Sequence, residues 1–322
     1  MFRITPCSEL LDTAVLSLYY KCYMLNVMNF NSSSYHIDLN DDLRWTIYAD
    51  KGLEEWLDKL AGIMELKRSN NGAGNHRIFC MSRNSDKGPA SNRYQSSDWQ
   101  TLYNSFEMHM RYNRGTGDYA CEIDNINNED IEHINMLNML YAVYQPVVDR
   151  GGLPFHAGLV DIDGKGILIA GAGGQGKSTT CGRLSEYWTA LCDDETLIVF
   201  DKEKGYRAHP FPTWSEYLCK RSEGRWNVAH SVPLSAIFFI EQSEADEVTR
   251  IETQAEAAVL INKSAAEAYQ KYLGRIERER KWNAATMVFD NACKMAKTVP
   301  TYKLRISLTG RFWEKMEEVI KP

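Results

Sequence analysis

Residues 168–200, LIAGAGGQGKSTTCGRLSEYWTALCDDETLIVF, constrain the fold more than any other part of this 322-residue chain. An apolar run enters a glycine-rich loop, and a segment of helical composition leaves it. Gly171, Gly176, Lys177 and Ser178 satisfy G-x-x-x-x-G-K-[ST], a pattern that works only between a strand and a helix. Upstream, LPFHAGLVDI and GILIAGA are apolar strands, and Asp163-Gly164 between them predicts a tight hairpin. Downstream, the spacing predicts a helix from about Lys177 to Tyr187, a short strand ALC ending on Asp193-Asp194, and a further strand TLIVF.

The residue types in the loop suit one kind of ligand. A polyphosphate needs many donors close to its oxygens, and glycines let successive backbone N–H groups turn inward. The helix that follows adds its free N–H groups. Gly171, Gly173, Gly174, Gln175, Gly176, Lys177, Ser178 and Thr179 are therefore the expected phosphate-binding set. Lys177 supplies a mobile charge for the outer phosphates, and the Ser178 hydroxyl is a natural Mg²⁺ ligand.

A helix of about ten residues spans roughly 15 Å, after which the chain returns along the sheet. The end of that return strand is expected beside the loop, so Asp193 and Asp194 should face the outermost phosphate. Two carboxylates there can divide labour, one binding Mg²⁺ and the other accepting a proton from an attacking hydroxyl. His156, in PFHAGLV, reads either as a core histidine or as a neighbour that tunes the aspartates. Cys181 and Cys192 read as small buried groups rather than nucleophiles.

Elsewhere the pattern is mixed α/β. YHIDL, RWTIYA and RIFCM have strand composition, and GLEEWLDKLAGIMEL has helical spacing. An Asn-rich start predicts a helix from about Glu129, with Pro146 near its end. SAIFFIE reads as a buried strand, TQAEAAVLINKSAAEAYQKYL and RKWNAATMVFDNACKMAKTVP as helices, YKLRISL as a final strand. These divide the chain into an α+β region at 1–125, suited to peptide or partner docking, and an α/β nucleotide-binding region at 126–322.

Composition excludes several classes. The net charge of −6 gives no reason to expect nucleic acid or an acidic membrane as partner. Eight dispersed cysteines without a CxxC pair argue against a zinc ribbon or a disulfide framework and fit a reducing cytoplasm. No run approaches a membrane span and the N-terminus lacks a signal-peptide pattern, so a cytoplasmic protein is expected, with a homo-oligomer compatible.

HAGLVDIDGKGILIAGAGGQGKSTT…LCDDETLIV resembles the HPr kinase/phosphorylase family, which shares its fold with the nucleotide-binding domain of phosphoenolpyruvate carboxykinases. The order is the same: histidine on a strand, hairpin, phosphate loop, helix, aspartate pair. The resemblance implies that fold, ATP and Mg²⁺, and phosphorylation of a serine or threonine hydroxyl. It implies Asp193 as catalytic base, His156 as its assistant, and Asp194 with Ser178 on the metal side. The match is strong over about 150–200. Thr179 stands where those kinases place an acidic residue, and their later RG-G signature is not recognisable. GGLPFHAGLV, GQGKSTTCGRL, DDE, HPFPTWS and VPLSAIFFIEQ are more similar to HPr kinase-like proteins of bacterial peptide-modification cassettes, among them the kinase-like member of the SynChlorMet cassettes. This implies a peptide or small-protein acceptor. The alternatives are a non-catalytic ATP-binding carrier for a precursor peptide and a conventional P-loop NTPase, with Glu241 ending the strand AIFFIE as its acidic residue. HPFPTWSEY, residues 209–217, reads either as a contact to acceptor or base, or as a rigid packed loop.

Overall fold

The computed structural model describes residues 34–69, 74–83, 98–105, 107–124, 128–219, 224–273, 276 and 278–320. Two mixed sheets with helices between and around them make the protein α/β. The signal-peptide expectation lies outside the described residues. Among those described, no helix is long and apolar enough to cross a membrane.

The first sheet contains β1 (Ser34–Asn40), β2 (Leu43–Ala49), β3 (Lys67–Arg68), β4 (His76–Ser82), β5 (Trp99–Asn104), β6 (Met108–Asn113) and β7 (Tyr119–Ile123), in the order β3-β1-β2-β4-β7-β6-β5. Helix α1 (Glu54–Ile63) buries Trp56, Leu57, Leu60, Ala61 and Ile63, the face its spacing predicts. On β1 the alternating residues Tyr35, Ile37 and Leu39 are buried, the period of two that a strand requires.

Helix α2 (Glu129–Met139) starts where the Asn-rich segment predicts, with the Asn128 side chain accepting from the N–H groups of Asp130 and Ile131. Helix α3 (Tyr141–Asp149) follows, with Pro146 inside it near its end, as the sequence predicts. A proline cannot donate to the carbonyl four residues back. That carbonyl, of Ala142, instead accepts from the Trp45 indole N–H of β2 at 3.2 Å. The bond that the proline removes is thus replaced by one that ties the helix to the first sheet. One hydrophobic cluster runs from β1 and β2 through α3 into the second sheet.

The second sheet is built on β8 (Leu153–Ile162) and β9 (Lys165–Ala170). Asp163 and Gly164 both take positive φ, 53° and 74°, and Ile162 pairs with Lys165, which is a two-residue type I′ hairpin. The other strands are β10 (Thr189–Cys192), β11 (Glu195–Asp201), β12 (Gly205–Phe211), β13 (Val232–Gln242), β14 (Glu247–Arg250) and β15 (Thr301–Ile306). β9, β13 and β15 run parallel, with β13 between the other two. β8 changes partner along its length: its first half pairs with β11, its second half with β9 and β10. Two short helices, α4 (Lys177–Gly182) and α5 (Trp214–Leu218), follow β9 and β12; helices α6 (Gln254–Leu273) and α7 (Arg278–Met295) pack together, and α8 (Phe312–Ile320) follows β15.

Candidate functional site

The glycine loop leaves β9 at Ala170 and enters α4 (Lys177–Gly182). This helix is shorter than the span to Tyr187 expected from sequence. Gly182 ends it, and the next residue is drawn away, with the Arg183 guanidinium donating to the carbonyls of Ser307 and Gly310, both at 2.9 Å. Gly174 and Gly176 hold φ of 80° and 94°, which favours glycine. A Cβ added at Gly173, Gly174 or Gly176 would meet nothing within 4 Å, so the concave side of the loop stands open. Gln175 folds inward and accepts from the Ala172 N–H at 2.7 Å. Ser178 and Thr179 are exposed.

Lys177 is buried, and its ammonium donates to the Gly171 carbonyl at 3.0 Å. Burial pulls its pKa below the ordinary lysine value, against the opposing charges of Asp194, Glu267 and Asp193. The lysine therefore sits inside an acidic surround with no direct carboxylate partner within ion-pair distance among the described residues.

Strand register places the aspartates. Cys192 of β10 pairs with Leu159 of β8, and Glu195 of β11 pairs with His156 of the same strand. Asp193 and Asp194 are the unpaired interval between, opposite Gly158 and Ala157. On its other side Ala157 pairs with Ala170, the last residue before the loop. The aspartates thus lie one strand away from the start of the glycine loop. Gly158 permits this closeness: a Cβ there would stand 2.5 Å from Cys181 Sγ and 3.3 Å from Asp193 Cα.

The two carboxylates have different partners. Asp194 Oδ1 lies 3.2 Å from His156 Nε2, whose other ring nitrogen is 3.8 Å from Glu267 Oε2. Burial raises the Asp194 pKa, but the hydrogen bond and charge of His156, with Lys271 and Lys177, outweigh it and hold the carboxyl below the usual range. Asp193 turns the other way, and its Oδ1 accepts from the Thr213 hydroxyl at 2.7 Å. His156 thus contacts Asp194, and Asp193 is held by Thr213.

Sequence reasoning missed a further layer. Glu195, immediately after the pair, is buried and accepts from Tyr144 at 2.5 Å and from Lys271 at 3.2 Å. Burial works against the Lys271 charge, yet Glu195 and Asp194 hold its pKa above the ordinary value. Ser264, Glu267 and Lys271 lie on one face of α6, and Ser264 also donates to the His156 carbonyl at 2.9 Å. Their i, i+3, i+7 spacing was the only sequence signal, and polar residues at that spacing read equally well as a solvated face. A cavity of about 200 Å³ lies between this helix, the loop residues Gly171, Ala172 and Gln175, and the end of β13.

The remaining candidates resolve as follows. Cys181 and Cys192 are buried, and burial pushes both thiols up to about 12, so they are neutral packing groups. In 209–217, His209, Phe211 and Trp214 are buried, which is the packed-loop reading; Thr213 gives the segment its contact with Asp193. Glu241 lines the cavity near the loop and approaches Arg305 at 3.8 Å. Among the described residues no group of three or more His, Cys, Asp or Glu side chains is arranged to hold a metal.

The family model described as SynChlorMet cassette protein ScmC matches residues 119–321, well over half of the chain. That match begins at β7 and takes in the whole second sheet. No curated protein matches the sequence. Among solved structures, the chain is similar to the Hpr(Ser) kinase/phosphatase from Coxiella burnetii, with 10% identity, covering 52% of this chain and 93% of that one, at a TM-score of 0.27. A superposition that loose constrains neither substrate nor mechanism.

Proposed function

The chain belongs to the family of SynChlorMet cassette protein ScmC, and we propose that it is an ATP- and Mg²⁺-dependent kinase that phosphorylates a hydroxyl of a peptide or small protein. The observation that carries this reading is the convergence of Lys177, Asp193 and the Asp194–His156 pair around one open glycine loop.

The residues suit the nucleotide. The open, left-handed glycines can present backbone N–H groups to phosphate oxygens, and Lys177 can swing from the Gly171 carbonyl to the outer phosphates. Mg²⁺ commonly takes one or two carboxylates plus phosphates and water. Asp194 and the Ser178 hydroxyl would hold it, and when bound it would neutralise charge on the transferring phosphoryl group.

Asp193 is the better base of the pair. The Asp194 carboxyl is held below the usual range, which favours charge neutralisation over proton acceptance. One Asp193 oxygen is fixed by Thr213, which aims the carboxylate and leaves the other oxygen for the acceptor hydroxyl. His156 then orients Asp194, and Glu267 in turn faces His156.

The test is transfer of label from γ-³²P-ATP to a cassette precursor peptide. Asp193→Asn should abolish transfer and keep ADP affinity. Transfer by Asp193→Asn at the native rate would remove Asp193 as base. ATP binding without transfer to any hydroxyl, with peptide binding retained in Asp193→Asn, would leave an ATP-binding carrier.

A further inference from the structure

A second cavity lies far from the glycine loop. It has a volume of about 770 Å³, within the range of small-molecule sites. Its walls come from the end of α3, the β11–β12 turn, the start of β13 and one face of α7. Leu234 lines it and pairs with Gly166, whereas the loop begins beyond Ala170, the partner of Phe239. Four residue steps along β9 separate these levels, roughly 13 Å.

The lining has two parts. One is aromatic and apolar: Phe200 and Tyr206 meet at 5.0 Å between centroids, and Leu234, Met287 and Val299 continue the surface. The other is charged. Arg150, Lys204 and Lys294 face two carboxylates, Asp149 and Asp290. Asp149 already accepts from the Gln145 amide at 2.7 Å. Lys204 and Lys294 make no ion pair among the described residues. The rim is rigid on one side, because buried Asn291 donates to the carbonyls of Val148 and Gly152 at 2.8 and 3.1 Å. That clamp fixes the end of α3 against the start of β8.

We propose that this cavity is a second ligand site, separate from the glycine loop, for a small organic anion with an aromatic body. The aromatic and apolar wall takes the body, and Lys204 and Lys294 supply the charge that receives the anion. The inference does not rest on the kinase reading, since it uses neither the loop nor the aspartates.

The probe is 8-anilinonaphthalene-1-sulfonate, an aromatic sulfonate whose fluorescence reports burial. Titration of the full chain should give one saturable site per chain, unaffected by saturating ADP. The double variant Lys204→Glu/Lys294→Glu should weaken it at least tenfold, and Phe200→Ala at least fivefold. Both lysines are exposed, so the fold should tolerate the exchange. Lys202→Glu, on the same turn but outside the lining, should leave affinity within twofold. Absence of saturable binding, displacement by ADP, native affinity in the double variant, or equal weakening by Lys202→Glu would each overturn the proposal.

Discussion

His209 should make the fold sensitive to mild acid. Its ring lies on β12 with no exposed surface. Because a carbonyl can only accept, Nδ1 must carry the proton it donates to the Val228 carbonyl, at 2.8 Å. Nε2 is buried without a partner, so a second proton would bring an uncompensated charge into the core. Burial, helped by the charges of Arg207 and His230 against the Val228 bond, lowers the pKa from the ordinary 6.5 to about 4. Between those values the unfolded chain binds the proton and the folded chain refuses it, so stability falls as pH falls. A tenfold difference in proton affinity is worth about 1.4 kcal/mol, which makes the loss between pH 7 and pH 4 about 3 kcal/mol. The measurement is urea unfolding at both pH values for the native chain and for His209→Gln, whose amide can still donate but does not titrate. The native chain should lose about 3 kcal/mol more than the variant over that interval, since the other titrating groups cancel in the difference. Parallel pH dependence in the two proteins would refute the reasoning. The effect reaches the candidate site because Thr213, which fixes Asp193, follows this strand directly.

Other outcomes follow from the same geometry. Gly158→Ala forces a methyl to 2.5 Å from Cys181 Sγ and should cost about 1–3 kcal/mol by chemical denaturation; adding Cys181→Ala should recover part, leaving the 3.3 Å backbone conflict. Lys177→Ala should weaken ADP binding by about 10–100-fold in calorimetry, the worth of a charge-assisted contact. Glu241→Gln should leave phosphoryl transfer within about threefold of native; abolition of turnover by that exchange, with Asp193→Asn unaffected, would favour a conventional NTPase.

What the sequence made legible was local. Asp163-Gly164 specified its hairpin because a type I′ turn needs two residues that accept positive φ. The glycine loop was legible because its residue types are dictated by backbone conformation and not by distant packing. The aspartates were placed at the correct end of the strands from chain direction alone, since β10 and β9 both run antiparallel to β8. The short α4 was not legible, because what draws Arg183 away lies more than 120 residues later, at Ser307 and Gly310. The bond that carries the helix through Pro146 was not legible, because the indole that takes up the freed carbonyl belongs to Trp45, 97 residues earlier.

The second layer of the site shows why such partners stay hidden. Lys271 on an isolated amphipathic helix is an ordinary surface charge. It becomes specific only when α6 lies along β8 and brings Ser264, Glu267 and Lys271 to His156 and Glu195. Glu195 had the opposite problem. It stands beside Asp193 and Asp194 in sequence, yet alternation along the strand and pairing with His156 send it into the core toward Tyr144. Three consecutive acidic residues therefore meet three surroundings: a hydroxyl for Asp193, an imidazole for Asp194, a tyrosine and a lysine for Glu195. It follows that removing Lys271 leaves buried Glu195 without its only cationic partner among the described residues, whereas replacing the Thr213 hydroxyl frees Asp193 and leaves the Glu195–Lys271 pair in place. The two exchanges should differ in their effects: Lys271→Met lowering the unfolding midpoint and also disturbing Asp194 through the lost charge, Thr213→Val slowing transfer with a smaller loss of stability.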